Sequence, residues 1–476
     1  LGIGNSKLTI IKEKTIELLL DKINLNDVNS NINELVKDGI EEIYKQDSSE
    51  PKIISNVSFN IKYDGSDSTL NIPFTNLDST KKNFTEEHVK LFGFFSPEKK
   101  MIIESIVVEL KIKNKDTILS EDLKKINKKK IFCEKKIKVY MKSKWYETSQ
   151  INRDDMELGK IYKGPIIILE PNATIVVEPE WEVALNKNSE LLLNRYKSEF
   201  KTTIQKNKSD PIMLEVFNNL FMSIAEQMGV TLQKTSSSVN IKERLDFSCA
   251  IFDKRGNLIA NAPHIPVHLG SMSESVKSIL KQNKKSLRPG NFYMLNSPYN
   301  GGTHLPDISI IAPVFDMTGK NLLFFTGSRG HHADIGGITP GSMPSNSKNI
   351  LQEGIIIENF LLVENNHFYE DEAIELFKNS KYPSRNVDNN IADLKAQVAA
   401  CKKGIRELHN IIDQYGISTV IAYMNFVQDN AENSIKNVIK KLTNSSFTYE
   451  FDDSRRISVN IDLDKRNEKI NIDFSG

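Results

Sequence analysis

Gly301-Gly302-Thr303-His304-Leu305-Pro306-Asp307 leads directly into an apolar, β-branched run, Ile308–Val314. The chain reverses at Asp316-Met317-Thr318-Gly319-Lys320. It returns through Leu322–Thr326 into Arg329-Gly330-His331-His332-Ala333-Asp334-Ile335-Gly336-Gly337. Both runs have the length and composition of strands, and the segment between them has a hairpin-turn composition. A reversal centred on Met317 and Thr318 predicts His304 opposite His331, with Asp307 a short step away. Two imidazoles and one carboxylate are a donor set for Zn, Mn or Fe. Calcium suits it less, because that ion prefers oxygen ligands throughout. So few protein ligands leave positions open for water, whose acidity rises at such a centre.

Five of the eight histidines, His264, His268, His304, His331 and His332, fall between Asp246 and Gly341. Histidine is the commonest transition-metal ligand and the usual acid or base near neutral pH. A second hairpin is predicted where Phe247–Phe252 and Leu258–Ala260 flank Asp253-Lys254-Arg255-Gly256-Asn257. A turn centred on Arg255 sets Asp246 opposite His264, where a carboxylate would orient the imidazole. His264 and His268 flank a bend expected at Pro266, so both can face a pocket. Arg244 and Arg329 are candidates for holding a substrate carboxylate bidentately, although either residue equally forms structural ion pairs. A lone buried histidine is more often a hydrogen-bonded core residue than a ligand. The clustering of five beside Gly301, Gly302, Gly327, Gly330, Gly336, Gly337 and Gly341 shifts that balance, since glycine lets backbone approach a ligand closely. Cys249 lies in an alternating strand and reads as core rather than nucleophile.

Outward from this region, Asp210-Pro211 has the form of an N-cap followed by proline at the first helical position. Ile212–Leu232 then carries apolar residues at 214, 217, 220, 221, 224 and 228, one buried helix face. Long helices are expected over about 389–413 and 417–441, and a hairpin over Ile457–Phe474. Upstream, 1–48 reads as mostly helical, with one apolar stripe at Ile16, Leu19, Leu20 and Ile23 and another at Leu35, Val36, Ile40 and Ile43. Residues 53–110 read as strands, Ser58–Tyr63, Thr69–Ile72 and Ile102–Val108 among them. A Lys- and Asn-rich loop over 111–138 holds Lys124, Lys125, Lys128, Lys129, Lys130, Lys135 and Lys136. Gly164-Pro165 opens the strands Ile166–Leu169 and Thr174–Val177, and 182–209 reads as polar helix or linker.

At 476 residues the chain can bury more than one core, and 39% hydrophobic with 26% charged residues suits a globular protein. A net charge of +1 gives no reason to expect nucleic acid or a membrane surface as partner. The lysine run has no interleaved aromatic residues to stack on bases, so a solvated loop is the better reading. Cys133, Cys249 and Cys401 form neither a zinc pattern nor a disulfide framework, which suits a reducing compartment. No apolar run approaches the roughly 20 residues of a membrane helix. Neither is there a secretory signal or a phosphate-binding Gly-x-x-x-x-Gly-Lys loop. Leu1 at the start and strand character at Phe474-Ser475-Gly476 lead us to expect a fragment cut at both ends.

The motifs resemble the hydantoinase/oxoprolinase family. Asp210–Gly229, Asn240-Ile241-Lys242-Glu243-Arg244-Leu245-Asp246-Phe247-Ser248, Ala262-Pro263-His264-Ile265-Pro266-Val267-His268-Leu269-Gly270-Ser271-Met272, Gly301–Asp307 and Arg329–Gly337 are similar to the start of its B-type module. Phe59-Asn60-Ile61-Lys62-Tyr63-Asp64-Gly65-Ser66-Asp67, Phe92-Gly93-Phe94 and Gly164-Pro165-Ile166-Ile167-Ile168 resemble the end of its A-type module. The resemblance implies an α+β chain. The end of an actin-like ATPase-type module would occupy 1–55 and its β-rich C-terminal domain 56–195. A linker at 196–209 would lead to the mixed α/β start of a B-type module at 210–476. It further implies that 5-oxoproline, ATP and water give glutamate, ADP and phosphate. ATP with Mg would bind an N-terminal ATPase half that precedes Leu1, and this fragment alone would not turn over substrate. A divalent metal, Zn or Mn, would sit at His304, Asp307 and His331, with His332 and Asp334 as second choices. Catalytic candidates are His264, His268, Asp246 and His332, and substrate-binding candidates are Arg244 and Arg329. A homo-oligomer and a cytoplasmic location are expected from the family. A related lactamase, hydantoinase or carboxylase is the alternative, as is a noncatalytic scaffold. The scaffold is favoured slightly by Ser297 and Asn291, where the family usually has Asp.

Overall fold

A computed structural model describes residues 8–46, 52–66, 68–97, 99–112, 135–187, 189–196, 209–365 and 367–475. Two compact units emerge. One gathers Leu1–Ile10, Ile40–Ile54 and Leu110–Gln205; the other gathers Ile11–Gly39, Ser55–Glu109 and Lys206–Gly476. The lysines from Lys124 to Lys130, Asp67 and Cys133 lie outside the described residues.

The chain begins with β1 (Thr9–Leu19), α1 (Leu25–Gln46), β2 (Ile53–Tyr63), β3 (Leu70–Pro73), α2 (Leu77–Phe92) and β4 (Met101–Ile112). The four strands form one sheet in the order β1-β4-β2-β3. The expected helix over Ile16–Ile23 is therefore a correction: Thr9–Leu19 is a strand. Its Glu side chains find charged or polar partners across the sheet, Glu13 with Asn60 and Ser105, and Glu17 with Lys62. Tertiary pairing overrides a spacing that suited either period. Within α1, Leu35 and Ile43 of the second stripe are buried. Helix α2 was not expected among the strands. Asn76 caps it by accepting from Ser79 N, Thr80, Phe84 and His88 form its buried stripe, and Gly93 ends it at φ +82°.

Next come β5 (Lys135–Met141), β6 (Lys144–Asn152), β7 (Ile161–Lys163), β8 (Ile166–Leu169), β9 (Thr174–Val177), β10 (Trp181–Leu185) and β11 (Leu191–Arg195). They build two small sheets, β5-β6-β8-β9 and β11-β10-β7. Ile151, Tyr162, Ile168, Val177 and Val183 close the core between them. The strands β10 and β11 stand where 182–195 was expected to be polar helix or linker, and 197–208 of that stretch lies outside the described residues.

The remaining chain holds α3 (Pro211–Thr235), α4 (Val239–Lys242), β12 (Phe247–Asp253), β13 (Leu258–Asn261), α5 (Pro266–Asn283), β14 (Phe292–Leu295), β15 (Asp307–Phe315) and β16 (Leu322–His331). There follow β17 (Phe360–Glu364), β18 (His367–Phe368), α6 (Glu370–Lys378), α7 (Val387–Tyr415), α8 (Ile417–Lys441), β19 (Ser445–Glu450), β20 (Arg456–Asp464) and β21 (Lys469–Asp473). Asp210 caps α3 as expected, accepting from Ile212 N and Met213 N. Pro266 is the first residue of helix α5, where its missing N–H costs nothing, rather than the expected bend.

Seven strands form one antiparallel sheet, β13-β12-β16-β15-β14-β17-β18. Helix α5 covers one face. There Met272, Val276 and Ile279 meet Ala250, Phe252, Ile311 and Phe325. On the other face, Gln397 and Cys401 of α7 reach Ile308 O, Ile310 O and Ser328. Burial on both faces explains why β15 is apolar almost throughout rather than alternating.

Candidate metal centre

The register of the central hairpin decides the site. Asp307 pairs with His331, Ile308 with Gly330 and Val314 with Phe324. His331 thus faces Asp307 rather than His304, a correction to the expected reversal. The turn is wider than a two-residue loop: Asp316 N donates to Asn321 O, Gly319 N to Asp316 O, and Gly319 has φ +67°. His304 still joins the cluster, because the loop before β15 folds back and Asp307 N donates to His304 O at 3.1 Å. Ligand atoms of His304, Asp307 and His331 all lie within 4.8 Å of one another.

The loop has little freedom. Gly301 has φ +90°, and a Cβ at Gly302 would lie 2.1 Å from the Asn296 carbonyl oxygen. The buried Asn296 amide donates to Leu305 O and Ile355 O, both at 2.8 Å, and accepts from Ile357 N at 2.7 Å. Asn296 and Thr303 were not singled out in the sequence. Only their place beside the glycines signals them.

Asp307 is the hub, its side chain 1% exposed. Its Oδ2 accepts from Thr303 Oγ1 at 2.8 Å and lies 3.1 Å from both His268 Nε2 and His304 Nδ1. Its Oδ1 is buried without a well-aligned hydrogen bond, and His331 Nδ1 stands 3.2 Å from it. Burial works against ionisation here. The close imidazoles of His268, His304 and His331 outweigh it and hold the carboxyl well below the usual carboxylate range. The hydrogen bond to Asp307 raises the His304 imidazole, against the opposing effect of burial. An acceptor atom left unsatisfied among three imidazoles fits a bound cation, and two nitrogens with one carboxylate suit Zn or Mn.

Asp246 does not meet His264. It lies 3.7 Å from His331 Nδ1, and its backbone carbonyl accepts from His331 N at 3.0 Å. Pairing of β12 with β13 ends at Ala250 and Asn261, so the second hairpin never reaches these residues. His264 packs on Phe247 and Gly229 and accepts from Cys249 N at 3.1 Å. Burial, then the neighbouring His268, lowers its imidazole to about 4. An unfolded chain binds that proton near pH 6.5. Stability therefore falls as pH drops from 6.5 toward 4 and levels off below, where both states are protonated. His264→Gln should flatten this slope in urea unfolding midpoints measured across that window.

His268 enters the cluster from the first turn of α5, with Nδ1 3.0 Å from Ser248 Oγ. His332 turns to the other face of the sheet. It is fully buried there, with Nε2 3.1 Å from Gln397 Oε1 and Nδ1 3.1 Å from Asn390 Nδ2. Asp334 accepts from Gly336 N, Gly341 N and the Arg385 guanidinium, and so organises its own loop. Neither is near enough to join the triad. Arg244 is exposed and bonds to Asn240. Arg329 is fully buried and donates to Ser309, Ser271, Ser275 and the Gly301 carbonyl, so its donors point into the protein rather than toward a substrate. Ser297 follows β14 on the side of Asp307 and is buried. Asn291 precedes β14 at the opposite end, beside Tyr293, away from the triad.

Sheet, covering helices and a buried carboxylate–histidine cluster that could hold a metal ion define an α+β module. Residues 210–476 match the family model for hydantoinase B/oxoprolinase, and residues 21–196 match that for the hydantoinase/oxoprolinase C-terminal domain. The chain belongs to the hydantoinase/oxoprolinase family. It is 38% identical over 468 residues to a 5-oxoprolinase of Saccharomyces cerevisiae, covering 93% of this chain and 36% of the relative. It is 36% identical to 5-oxoprolinase 1 of Arabidopsis thaliana, covering 93% of this chain and 37% of the relative. A 5-oxoprolinase of Dictyostelium discoideum is 35% identical, covering 100% of this chain and 38% of the relative. Among solved structures, the ATP-dependent caprolactamase of Pseudomonas jessenii superposes with a TM-score of 0.50 at 28% identity. That match covers 56% of this chain and 46% of the caprolactamase chain. The chain thus spans little more than a third of the length of its 5-oxoprolinase relatives. Among the described residues no helix is long and apolar enough to cross a membrane.

Proposed function

We propose that the protein containing this chain is an ATP-dependent 5-oxoprolinase, which opens the lactam of 5-oxoproline to give glutamate. The observation that carries this reading is the reach of the similarity. Identity to proteins named 5-oxoprolinase extends over 93% of the chain, across both family segments, whereas the caprolactamase match covers 56%. A lactam carbonyl is a poor electrophile. In this reading its oxygen first takes a phosphoryl group from ATP, with Mg, in a part of the protein outside this chain. Water then adds to the ring carbon, the C–N bond breaks as the amine nitrogen takes a proton, and a second water hydrolyses the resulting acyl phosphate to glutamate and phosphate.

His304, Asp307 and His331 would hold a divalent ion, Zn or Mn, which when bound supplies Lewis acidity and makes water more acidic. The other residues have positioning roles. Thr303 and His268 fix the Asp307 carboxylate, and Ser248 fixes the far side of the His268 ring. Asp246 faces His331 and keeps a 35% exposed side chain, so it can take up a proton at the mouth of the site. His268, 2% exposed, cannot meet substrate directly and acts through Asp307.

A second reading is favoured by the caprolactamase superposition: ATP-dependent opening of another lactam. ADP release by the full-length protein, measured with 5-oxoproline, caprolactam and hydantoin, separates the two. Release that depends on 5-oxoproline is expected. Release with caprolactam alone would replace the first reading by the second.

A further inference from the structure

A cavity of 460 Å³ that shares no lining residue with the triad lies between the C-terminal end of α2 and the outer face of α7. Phe92, Phe94, Phe95 and Phe368 give it aromatic walls, and Val363 and Val398 give it a buried floor. Phe95 is 48% exposed and stands at the mouth. Three charged groups join this apolar lining. Lys395 is spoken for, with its ammonium 3.0 Å from the Glu370 carboxylate. Lys402 is different. Its Nζ donates to the Gly93 carbonyl at 3.2 Å and meets no carboxylate among the described residues.

Capping accounts for part of this arrangement. Lys402 and Arg406 of α7 both donate to carbonyls at the end of α2, Arg406 to Lys90 O at 2.9 Å. Cations at a helix C-terminus are favourable. That role occupies one of the three donors of an ammonium group. The two that remain belong to a half-buried charge at an apolar cavity, a situation that an anion relieves. Burial alone already lowers the Lys402 ammonium below its ordinary value.

We propose that this cavity is a binding site for a small amphipathic monocarboxylate, with Lys402 taking the carboxylate and the phenylalanine walls taking an aromatic or aliphatic body. One uncompensated cation calls for one negative charge. A phosphate or dicarboxylate would also face Glu370 and leave charge unpaired. Four aromatic rings suit a flat or branched apolar group, and the volume falls in the range of small-molecule sites.

Titration calorimetry of the full-length protein with 3-phenylpropionate and with its neutral counterpart 3-phenylpropanamide tests this. Saturable one-to-one binding of the acid is expected, with the amide weaker by about tenfold or more. Lys402→Gln keeps a donor for the Gly93 carbonyl and should erase the preference for the acid. Phe95→Ala should weaken both compounds. Absence of saturable acid binding overturns the proposal. So does an unchanged preference in Lys402→Gln, or affinities for both compounds unmoved by Phe95→Ala.

Discussion

Replacing Asp307 by asparagine is expected to lower 5-oxoproline-dependent ADP release by the full-length protein about a thousandfold. Bound divalent metal should fall from near one per chain toward none. The substitution keeps the shape of the side chain and removes its charge. Thr303, His268 and His304 all direct toward one oxygen, and His331 stands 3.2 Å from the other. An amide can accept at one atom only, so its nitrogen must confront a donor or replace the oxygen an ion would use. Metal content by elemental analysis and ADP release would be read on the same preparations. His332→Gln is the comparison. That histidine bonds Asn390 and Gln397 on the other face of the sheet, so its loss should lower Tm and leave metal content intact. Full metal occupancy in Asp307→Asn would remove the triad from the mechanism.

The triad could be read in the sequence although its register could not. Glycines, a hairpin composition and two histidines far apart placed His304, Asp307 and His331 in one neighbourhood. Turn width set which pair is opposed, and Asp316 widens the turn by accepting from Lys320 N and Asn321 N. Capping made the long helices legible, as at Asp210 before α3. Helix α5 was hidden because Pro266 reads as a break until its position in the first turn is known. The strand β1 was hidden because its charged residues suit an exposed helix face, and only its partners across the sheet reveal the pleat. His268 and Asp246 were named for roles beside His264. The fold brings both to Asp307 and His331 instead, a matter of strand ends and helix entry that local spacing does not encode.

Arg329→Met is expected to be the most destabilising substitution in this region. No part of Arg329 is exposed, and its guanidinium donates to three serine hydroxyls and one carbonyl. Burial lowers the guanidinium to about 10, against the opposing pull of Asp307, so it stays charged at neutral pH. Methionine fills much of the volume but withdraws the donor from the three serine oxygens, leaves the Gly301 carbonyl with Ser275 alone, and removes a buried cation that Asp307 attracts. Breaking a buried charge arrangement from one side costs about 3–5 kcal/mol. Lysine should rescue little, because a point charge cannot reproduce a planar fork that spans β15, α5 and the Gly301 loop. The loss should be read as the shift in urea midpoint at neutral pH, with metal removed by chelation so that ligand binding does not enter. The double variant with Asp307→Asn separates two causes. If Arg329 acts through its charge, the two losses should sum to more than the double variant shows, because each single change strands the other ion. If it acts only as a hydrogen-bond donor to the serines, the losses should add, and Arg329 would then brace the loop without balancing the carboxylate.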